Sequence, residues 1–488
     1  MPQAAAFVAG AAAVLGFSPF DFFPAALAAL ALLFHLWMRA TSPRAAFQYG
    51  YFFGLGLYGA GVSWVYVSLS RFGAMPMPLA AAATLCFCAF LALFPALAGW
   101  TQARIARESA APAALRAALL IPAAWMLAEW PLSWFLTGFP WLAFGYTAID
   151  DPLSGFAPVG GVYAVSLAMA VAAGLLWCVA LGHARWIAAS ALVLLLACGY
   201  GLRTTEWTAP AGEPLRVALL QGNVPQEMKF DPARYERTLD TYARLAEGSA
   251  ARLIVLPETA VPRFLDLVEP SFLERLKAAA ARNGGDLLLG VPVRSAAGAY
   301  LNSVISLGVS PSASYDKVHL VPFGEFVPPG FGWIVRVLSI PLADFARGAT
   351  EQRPLAIAGQ RVAVNVCYED AYGAEIIRQL PEATLLVNVS NVAWFGDSLA
   401  PAQHLQIARM RALETGRVYL TAANTGITAA IWPDASVRQQ MKQFVQGRIE
   451  FEVRGYSGAT PYVRFGDWPA VVLALLALAF VALRGRSR

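Results

Sequence analysis

The apolar positions divide this chain into two regimes. Residues 1–203 contain long apolar runs with almost no charge, whereas 204–467 alternate short apolar runs with charged stretches, and a last apolar run follows Trp468. A helix that crosses a bilayer needs about 20 mainly apolar residues. The pattern predicts eight transmembrane helices, at residues 3–19, 22–38, 49–70, 76–100, 117–136, 160–182, 187–202 and 468–483.

The first apolar run has the length of a secretory signal peptide. However, Met1-Pro2-Gln3 supplies no basic residue, and a second apolar run follows at once. A signal peptide normally has a positively charged start and ends at a cleavage site. We therefore interpret the first run as a retained transmembrane helix.

Arginines in the short loops predict which side of the membrane each part faces. The opposite loops carry only Arg71, and the loop 137–159 contains Asp150 and Asp151 but no Lys or Arg. Basic loops favour the cytoplasmic side. We expect both termini to be cytoplasmic and residues 204–467 to lie on the outer side. The basic loops and tail contain Arg39, Arg44, Arg104, Arg107, Arg116, Arg185, Arg484, Arg486 and Arg488.

Composition agrees with a membrane protein. Hydrophobic residues make up 58% of the chain and charged residues only 14%, compared with about 25% charged residues in a typical globular protein. The net charge of +5 is modest, and arginines at membrane boundaries account for most of it. The charge therefore gives no reason to expect a nucleic-acid partner.

The pattern predicts three domains. We expect a membrane domain of seven helices at 1–203, an outer domain at 204–467, and an eighth helix with a basic tail at 468–488. Residues 203–213 contain Pro and Gly and are predicted to be a linker.

Within the outer domain, apolar β-branched runs alternate with helical stretches. Continuous apolar strands separated by helices are typical of sheets covered on both faces, which predicts an α/β layered domain. The predicted strands are Leu215–Leu220, Leu253–Leu256, Asp286–Val291, Ser303–Leu307, Val362–Val366, Leu385–Val389, Val418–Thr421 and Thr428–Ile431. The predicted helices are Pro232–Gly248, Pro270–Arg282, Ala371–Leu380 and Pro401–Gly416.

Cys367 is the single cysteine of the outer domain; the others, Cys86, Cys88, Cys178 and Cys198, fall inside predicted membrane helices. In an oxidising compartment a lone thiol has no intramolecular partner, which marks it as a candidate reactive group. The absence of a second cysteine from this domain is equally consistent with an inert buried side chain.

Three predicted strand ends carry side chains suited to acyl transfer. Glu258 follows the strand Leu253–Leu256, Lys317 lies in Tyr315-Asp316-Lys317, and Cys367 follows the strand Val362–Val366. Ligand sites in α/β sheets favour the carboxyl ends of strands. A carboxylate base can deprotonate a thiol nucleophile, and an ammonium group can stabilise the oxyanion that forms. A cysteine that follows a strand and precedes a helix can also have its pKa lowered by the amides of the helix N-terminus.

Other roles are open for several of these side chains. Taken singly, Glu258 is consistent with a turn carboxylate and Lys317 with a surface residue, and only their joint occurrence with Cys367 favours a site. His319 lies two residues from Lys317, and we interpret it as structural. Glu129 lies within the fifth apolar run; an intramembrane carboxylate either binds a polar group or hydrogen-bonds a neighbouring helix.

At these residues the chain resembles the nitrilase superfamily, whose members carry a Glu–Lys–Cys triad on an αββα sandwich. It is more closely similar to the membrane-anchored branch, the apolipoprotein N-acyltransferases, over nearly its full length. The motifs that carry this similarity are Gly138-Phe139-Pro140-Trp141-Leu142, Gln221-Gly222-Asn223, Leu256-Pro257-Glu258-Thr259, Tyr315-Asp316-Lys317, Pro322-Phe323-Gly324-Glu325, Cys367-Tyr368-Glu369, Trp394-Phe395-Gly396-Asp397-Ser398, Arg409-Met410-Arg411-Ala412-Leu413-Glu414 and Asn424-Thr425-Gly426-Ile427-Thr428.

The resemblance implies a role for each matching residue. Glu258 would be the general base, Cys367 the nucleophile and Lys317 the electrostatic stabiliser. Glu325 would assist the triad, and Tyr368 and Glu369 match the residues that follow the nucleophile, with the Tyr368 amide as an oxyanion donor. The candidates for substrate contact are Phe230, Phe323, Trp394 and Phe395.

The chain departs from the family pattern at three positions. Val392 stands where an acidic residue is expected, Thr421 replaces an Arg often seen before Asn-Thr-Gly, and Phe230 stands where Trp is frequent. None of these positions belongs to the triad, and they concern substrate contact.

The resemblance also implies the reaction and the location. A phospholipid would acylate Cys367, and the thioester would pass its acyl group to the α-amine of a diacylglyceryl-cysteine at an apolipoprotein N-terminus. The protein would lie in the bacterial inner membrane with a periplasmic catalytic domain. Outer segments 137–159 and 323–346 are candidates for lids or for an ordinary aromatic belt.

Two other functions remain to be compared with this one. A membrane-anchored nitrilase-type amidohydrolase would use the same triad with water as the acceptor. A transporter with an outer binding domain would place polar residues along several apolar runs, and these runs contain few beyond Glu129, His35 and His183. No motif typical of a metal or nucleotide site occurs, so we expect neither metal nor cofactor.

Overall fold

The computed structural model describes residues 1–109, 111–229, 231–328, 330 and 344–484. They form two compact units, the first comprising Met1–Tyr66, Met77–Glu206 and Thr460–Arg488, and the second comprising Val67–Pro76 and Trp207–Ala459. The predicted linker at 203–213 is wrong from Thr208 onward, because these residues begin the first strand of the second unit. This strand pairs along most of its length, so its Pro and Gly residues lie at a register shift rather than in a loop.

The first unit consists of apolar helices. Four of those described are long and apolar enough to cross a membrane, namely Met77–Ser109, Ala113–Ser133, Pro152–Leu181 and Arg185–Arg203. The bent pair Pro43–Gly61 and Val65–Phe72, whose residues from Val67 onward are counted with the second unit, passes the same test together, which gives up to five. Shorter apolar helices are Pro2–Gly16, Phe23–Met38 and Trp468–Arg484. Helices therefore occupy all the predicted apolar segments, while length and composition support four or five crossings.

Large apolar side chains cover the outside of this unit. On the helix Arg185–Arg203, Trp186 is 80% exposed and Ile187 is 75% exposed. In water such a surface would be costly, whereas lipid solvates it. Glu129 is buried, and its Oε1 accepts a hydrogen bond from the Phe144 amide at 2.8 Å, which supports the structural interpretation of this carboxylate.

The second unit contains two six-stranded sheets. The first has the order β12-β1-β2-β3-β4-β5, and the second has the order β11-β10-β9-β8-β7-β6. In each sheet three central strands are parallel, β1-β2-β3 and β9-β8-β7, and the outer strands are antiparallel. The strands are β1 (Thr208–Gln221), β2 (Leu253–Val255), β3 (Asp286–Arg294), β4 (Tyr300–Gly308), β5 (Ser314–Asp316), β6 (Leu355–Ile357), β7 (Gln360–Val366), β8 (Leu385–Ser390), β9 (Val418–Ala423), β10 (Ala429–Ile431), β11 (Val437–Gln440) and β12 (Gly447–Gly458).

Alternate residues of the central strands build two cores. Val217, Val255, Val364 and Val387 belong to the core that joins the two sheets. Their neighbours in sequence on the first sheet, such as Ile254, pack in a second core with the helices that cover that sheet. Both faces of the central strands are thus buried, which explains their continuous apolar sequences. The expected αββα sandwich is confirmed.

The helices of the second unit lie close to the expected positions, with one exception. The segment predicted as one helix at Ala371–Leu380 is instead a helix at Gly373–Ile376 and a 3-10 helix at Ile377–Gln379. The longer helices are Pro232–Glu247, Pro270–Ala281 and Ala400–Thr415. Sequence reasoning missed β5 and β6 because each is only three residues long. It missed β11 and β12 because β11 is mostly exposed and β12 is mostly half-buried, and both have many charged and polar positions.

Candidate active site

Glu258 lies just beyond the carboxyl end of β2 and is 7% exposed. Its Oε1 accepts a hydrogen bond from the Asn302 side chain at 2.8 Å, and its Oε2 accepts one from the Asn391 amide at 2.9 Å. A Cβ at Gly290 on β3 would collide with the Pro257–Glu258 backbone. The glycine therefore lets the turn that carries the carboxylate lie against the neighbouring strand.

Lys317 follows the short edge strand β5 and is 1% exposed. Its Nζ lies 2.9 Å from Glu325 Oε1 and 3.4 Å from Glu258 Oε1. Its backbone amide donates to the Asn302 carbonyl at 2.8 Å. The β4–β5 pairing thus sets the lysine beside Asn302, and a buried ammonium is stabilised by two carboxylates.

Cys367 follows β7 and begins a five-residue 3-10 helix, Cys367–Ala371. Its φ is +53°, a left-handed conformation that few residues other than glycine adopt. The Asn388 side chain donates to its carbonyl oxygen at 3.0 Å and holds this turn. The sharp turn aims the thiol away from the strand, and such strained positions occur often at active sites.

The Cys367 thiol is not acidified, although a position between a strand and a helix can lower the pKa of a cysteine. Burial, together with the nearby Glu258 carboxylate, raises the pKa of Cys367 to about 12. Lys317, the Ser390 hydroxyl and the Asn391 amide oppose this shift without overcoming it. The resting cysteine is therefore a protonated thiol, which needs a base at the moment of attack.

Glu258 has the properties of that base. Burial alone would raise the pKa of Glu258, but Lys317, Lys229 and the Asn302 hydrogen bond hold it below its usual value. Burial would likewise lower the pKa of Lys317, and the charges of Glu325 and Glu258 reverse this and raise it. At neutral pH the site thus holds an ionised carboxylate, an ammonium and a neutral thiol. The thiol side chain is also within hydrogen-bonding reach of Glu258.

Glu369 accepts hydrogen bonds from the segment that precedes Cys367 and from the segment that follows Lys317. Its Oε1 accepts from the amides of Val318 at 2.6 Å and His319 at 3.0 Å, while its Oε2 accepts from the Val366 amide at 2.6 Å. The Tyr315 hydroxyl lies 3.0 Å from Oε2. Burial raises the pKa of Glu369 to about 7 despite these donors. Glu369 therefore links the segments that follow β5 and β7, which carry Lys317 and Cys367.

We expect Glu369→Gln to destabilise the second unit. Backbone amides point at both carboxylate oxygens, so whichever way the Gln amide turns, its NH₂ faces a donor. A buried donor left without an acceptor costs about 1–3 kcal/mol. Thermal unfolding should show a lower melting temperature than wild type, whereas Glu274→Gln, on an exposed helix position, should not. An unchanged melting temperature would show that Glu369 does not stabilise the link between the segments that carry Cys367 and Lys317.

Glu325 lies beside Lys317 and Asn302. Its Oε1 accepts from Asn302 at 2.9 Å and contacts Lys317, and its Oε2 accepts from the Val321 amide at 2.8 Å. His319 does not take part: its ring stacks on Tyr372 at 3.6 Å and its Nδ1 lies 3.3 Å from Glu375. The interpretation of His319 as structural agrees with these contacts.

Sequence reasoning missed three residues that contact the triad. Asn302 bridges Glu258 and Glu325, Asn391 supplies the backbone donor to Glu258, and the Nζ of Lys229 donates to the Glu258 carbonyl at 3.2 Å. Asn302 lies directly before the predicted strand Ser303–Leu307, so the sequence pattern left it outside the element that carries it, Tyr300–Gly308. Lys229 gave no signal, because a single lysine in a loop is usually exposed.

The candidates for substrate contact fall in different environments. Trp394 is 40% exposed and packs edge-on against Phe72 at 6.0 Å. Phe395 is half-buried, and Phe323, with φ +60°, lies in the turn between Pro322 and Phe326. Phe230 lies outside the described residues, as does much of the segment 323–346. Trp394 and Phe323 remain candidates for contact with apolar substrate.

Two of the three departures from the family pattern, Val392 and Thr421, lie in the interior. Val392 is 3% exposed and its side chain packs against Gly426, and Thr421 on β9 is 3% exposed. Val392 follows Asn391 directly, so it flanks the donor to Glu258. An apolar side chain fits this buried position without the desolvation cost of an acid.

The arrangement can perform covalent acyl transfer. A base lies beside a protonated nucleophile, and a buried cation lies beside both, which are the parts required to form and stabilise a tetrahedral intermediate. The Tyr368 amide follows the thiol directly in the 3-10 turn. Residues that are 44 and 133 positions away from Glu258 in the sequence contact its carboxylate in the folded structure.

Comparison with known proteins gives matches over both units. Residues 9–175 match the family model described as apolipoprotein N-acyltransferase N-terminal domain, and residues 216–462 match carbon-nitrogen hydrolase. An apolipoprotein N-acyltransferase of Nitrosomonas europaea is 49% identical, covering 99% of this chain and 98% of that protein. Relatives of the same name are 43% identical in Ralstonia nicotianae, covering 98% and 94%, and 45% identical in Methylococcus capsulatus, covering 94% and 91%.

Proposed function

The chain belongs to the apolipoprotein N-acyltransferase family, and we propose that its triad of Glu258, Lys317 and Cys367 carries the acyl transfer. The enzyme is an acyltransferase that N-acylates the α-amine of the diacylglyceryl-cysteine at the N-terminus of an apolipoprotein. The acyl donor is a membrane phospholipid, and the acyl group passes through a thioester.

In the first half-reaction the thiol becomes acylated. Glu258 takes the Cys367 proton as Sγ bonds to the ester carbonyl carbon of the phospholipid. Lys317 and the Tyr368 amide stabilise the oxyanion. The ester C–O bond then breaks, Glu258 returns the proton to the departing glycerol oxygen, and a lysophospholipid leaves.

In the second half-reaction the amine takes the acyl group. An α-amine has an unperturbed pKa near about 8 and is largely protonated at neutral pH. Once neutral, its nitrogen attacks the thioester carbon, Glu258 accepts a proton from it, and the C–S bond breaks. The thiolate regains that proton from Glu258, and the product is an amide.

One observation carries the assignment of the triad: a buried Lys317 lies 3.4 Å from Glu258 Oε1 and 2.9 Å from Glu325 Oε1, beside a lone, protonated thiol. This arrangement suits transfer of an acyl group from the thiol to an acceptor. By itself it does not show whether the acceptor is an amine or water. The similarity over the apolar first unit favours lipid substrates over a soluble amide, and hence acyl transfer over amide hydrolysis. A transporter is not favoured.

The proposed location of the protein also rests on its family membership. The proposal places the chain in the bacterial inner membrane with eight crossings, both termini in the cytoplasm and the second unit in the periplasm. The outward apolar side chains of the helices and the arginines of alternate loops support it. Extracting an acyl chain of about 16 carbons into water would cost about 12 kcal/mol, so both substrates are best met in the bilayer.

The product of the reaction tests this function. The purified enzyme, incubated with phospholipid and a synthetic diacylglyceryl-cysteine peptide, should yield an N-acylated peptide of the expected mass and a lysophospholipid in equal amounts. Free fatty acid in place of the amide would identify a hydrolase. The absence of both products would exclude acyl transfer.

The same assay tests the orientation. In sealed spheroplasts, acceptor peptide supplied from outside should be acylated as well as in detergent. Acylation only after the spheroplasts are opened would place the site in the cytoplasm.

A further inference from the structure

Lys229 is a buried lysine that the triad mechanism does not use. It lies in the loop between the 3-10 helix Gln226–Met228 and the helix Pro232–Glu247, and it is 4% exposed. Lysine is almost never fully buried without a partner. Its Nζ donates to the backbone carbonyl of Glu258 at 3.2 Å. The ammonium thus lies against the residue proposed as the base.

The neighbouring charges explain why a cation belongs there. Glu258 and Glu325 supply two negative charges to the cluster, and Lys317 supplies one positive charge. The Lys229 charge also interacts with the Cys367 sulfur. Without Lys229 the cluster would hold an excess negative charge where an oxyanion must form. With Lys229 the four charged side chains balance.

On the basis of the proposed function, we propose that Lys229 is a positioning residue of the acyl transfer, a second cation that keeps Glu258 ionised and offsets the negative charge that passes to Cys367 and the substrate oxygen. The ammonium holds the Glu258 carbonyl by its hydrogen bond and acts on both reacting groups through its charge. When the thiol proton moves to Glu258, negative charge moves to sulfur, and the Lys229 charge interacts with both groups.

Other charged groups near Lys229 are accounted for. Glu227, two residues away, is paired with Arg71 at 3.1 Å, and Asp231 caps the following helix through Ala233. His404 also interacts with Glu258, and its Nε2 lies 2.9 Å from Asp370. Glu258, Cys367, Lys317 and Glu325 are described above. Lys229 is therefore a cation whose charge is balanced by Glu258 and the other charged groups around the triad.

The pH profile of thiol acylation separates this role from a structural one. Burial lowers the pKa of Lys229 to about 8, against the raising effect of Glu258 and Cys367. The single-turnover rate of adduct formation with phospholipid should thus fall as pH rises through about 8 in wild type. In Lys229→Arg the guanidinium stays charged, so this fall should disappear.

Lys229→Met removes the charge at nearly constant volume. The acylation rate at neutral pH should fall about 10- to 100-fold, and its acidic limb should move to higher pH because Glu258 loses a stabilising cation. The melting temperature should not fall: the folded state binds the Lys229 proton less tightly than the unfolded chain, so the charge costs stability at neutral pH. Lys277→Met, at an exposed position, is the matched control and should behave as wild type.

The outcomes are distinct. A wild-type enzyme that forms no adduct contradicts the proposed function itself. A wild-type enzyme that forms the adduct, with the same pH profile in all variants, overturns the role of Lys229 alone. If Lys229→Met unfolds early and Lys229→Arg retains the wild-type basic limb, Lys229 is structural.

Discussion

Cys367→Ala should form no acyl adduct and should acylate no acceptor. The thioester of the proposed mechanism needs the Cys367 sulfur, and an alanine methyl group at this position can form no S–C bond with the acyl group. Loss of a nucleophile typically lowers turnover by about 10⁴-fold or more. Intact-mass spectrometry after incubation with phospholipid should show a hydroxylamine-labile acyl mass on wild type and none on Cys367→Ala. Adding the diacylglyceryl-cysteine peptide should discharge the wild-type adduct into an amide.

Cys367→Ser tests whether the second half-reaction needs a thiolate as the leaving group. The hydroxyl keeps the geometry, but it is a poorer leaving group than the thiol, so an ester on the introduced hydroxyl should accumulate and discharge slowly or not at all. The control is Cys198→Ala, which alters an exposed cysteine of the apolar unit and should leave the adduct unchanged. A labile adduct on Cys367→Ala, or acceptor acylation by it, would show that the covalent mechanism is wrong.

Lys317→Met should abolish activity and also destabilise the fold. Removing one partner of a buried ion pair leaves uncompensated charge, which costs roughly 3–5 kcal/mol. Here two carboxylates, of Glu258 and Glu325, would lose their shared cation. For a domain of this size the melting temperature should fall by roughly 6–20 °C. Activity should be lost because the oxyanion has no ammonium and Glu258 is protonated more readily.

A double variant separates these two effects. Lys317→Met with Glu325→Met replaces both partners of the shorter ion pair by apolar side chains, which costs less than removing one partner, so it should recover part of the melting temperature while activity stays absent. Lys277→Met, on an exposed helix position, should match wild type in both measurements. Stability equal to wild type in Lys317→Met would mean that the ion pairs contribute nothing to folding. Retained activity would exclude Lys317 from catalysis.

The pH dependence of stability follows from the same pair. The pKa of Glu258 is held below its unfolded value, so its contribution is present above that unfolded value and is lost as pH falls through the folded one. The pKa of Lys317 is raised, so its contribution is present below the unfolded value and is lost as pH rises through the folded one. The ion pairs therefore support the fold across the whole neutral range.

Local pattern alone was enough for the apolar helices, for the central strands and for two of the three candidate triad residues. Apolar runs predicted each helical segment of the first unit, and continuous β-branched runs predicted the central strands, because hydrophobic periodicity is set by the residues of the element itself. Glu258 and Cys367 were found because both follow such strands, at the edge of a sheet where ligand sites occur. The short edge strand β5, which delivers Lys317, had no such signal.

The tertiary structure decided what surrounds the triad. Asn302 and Asn391 reach Glu258 from 44 and 133 residues away, and Glu369 binds amides 50 and 51 residues away in the chain. The sequence suggested a lowered thiol pKa from its local position, and burial beside a carboxylate raised it instead. The charge balance that involves Lys229 exists only once separate segments enclose it. Propensity and periodicity are local, whereas burial, dielectric surroundings and charge pairing depend on which distant segments meet.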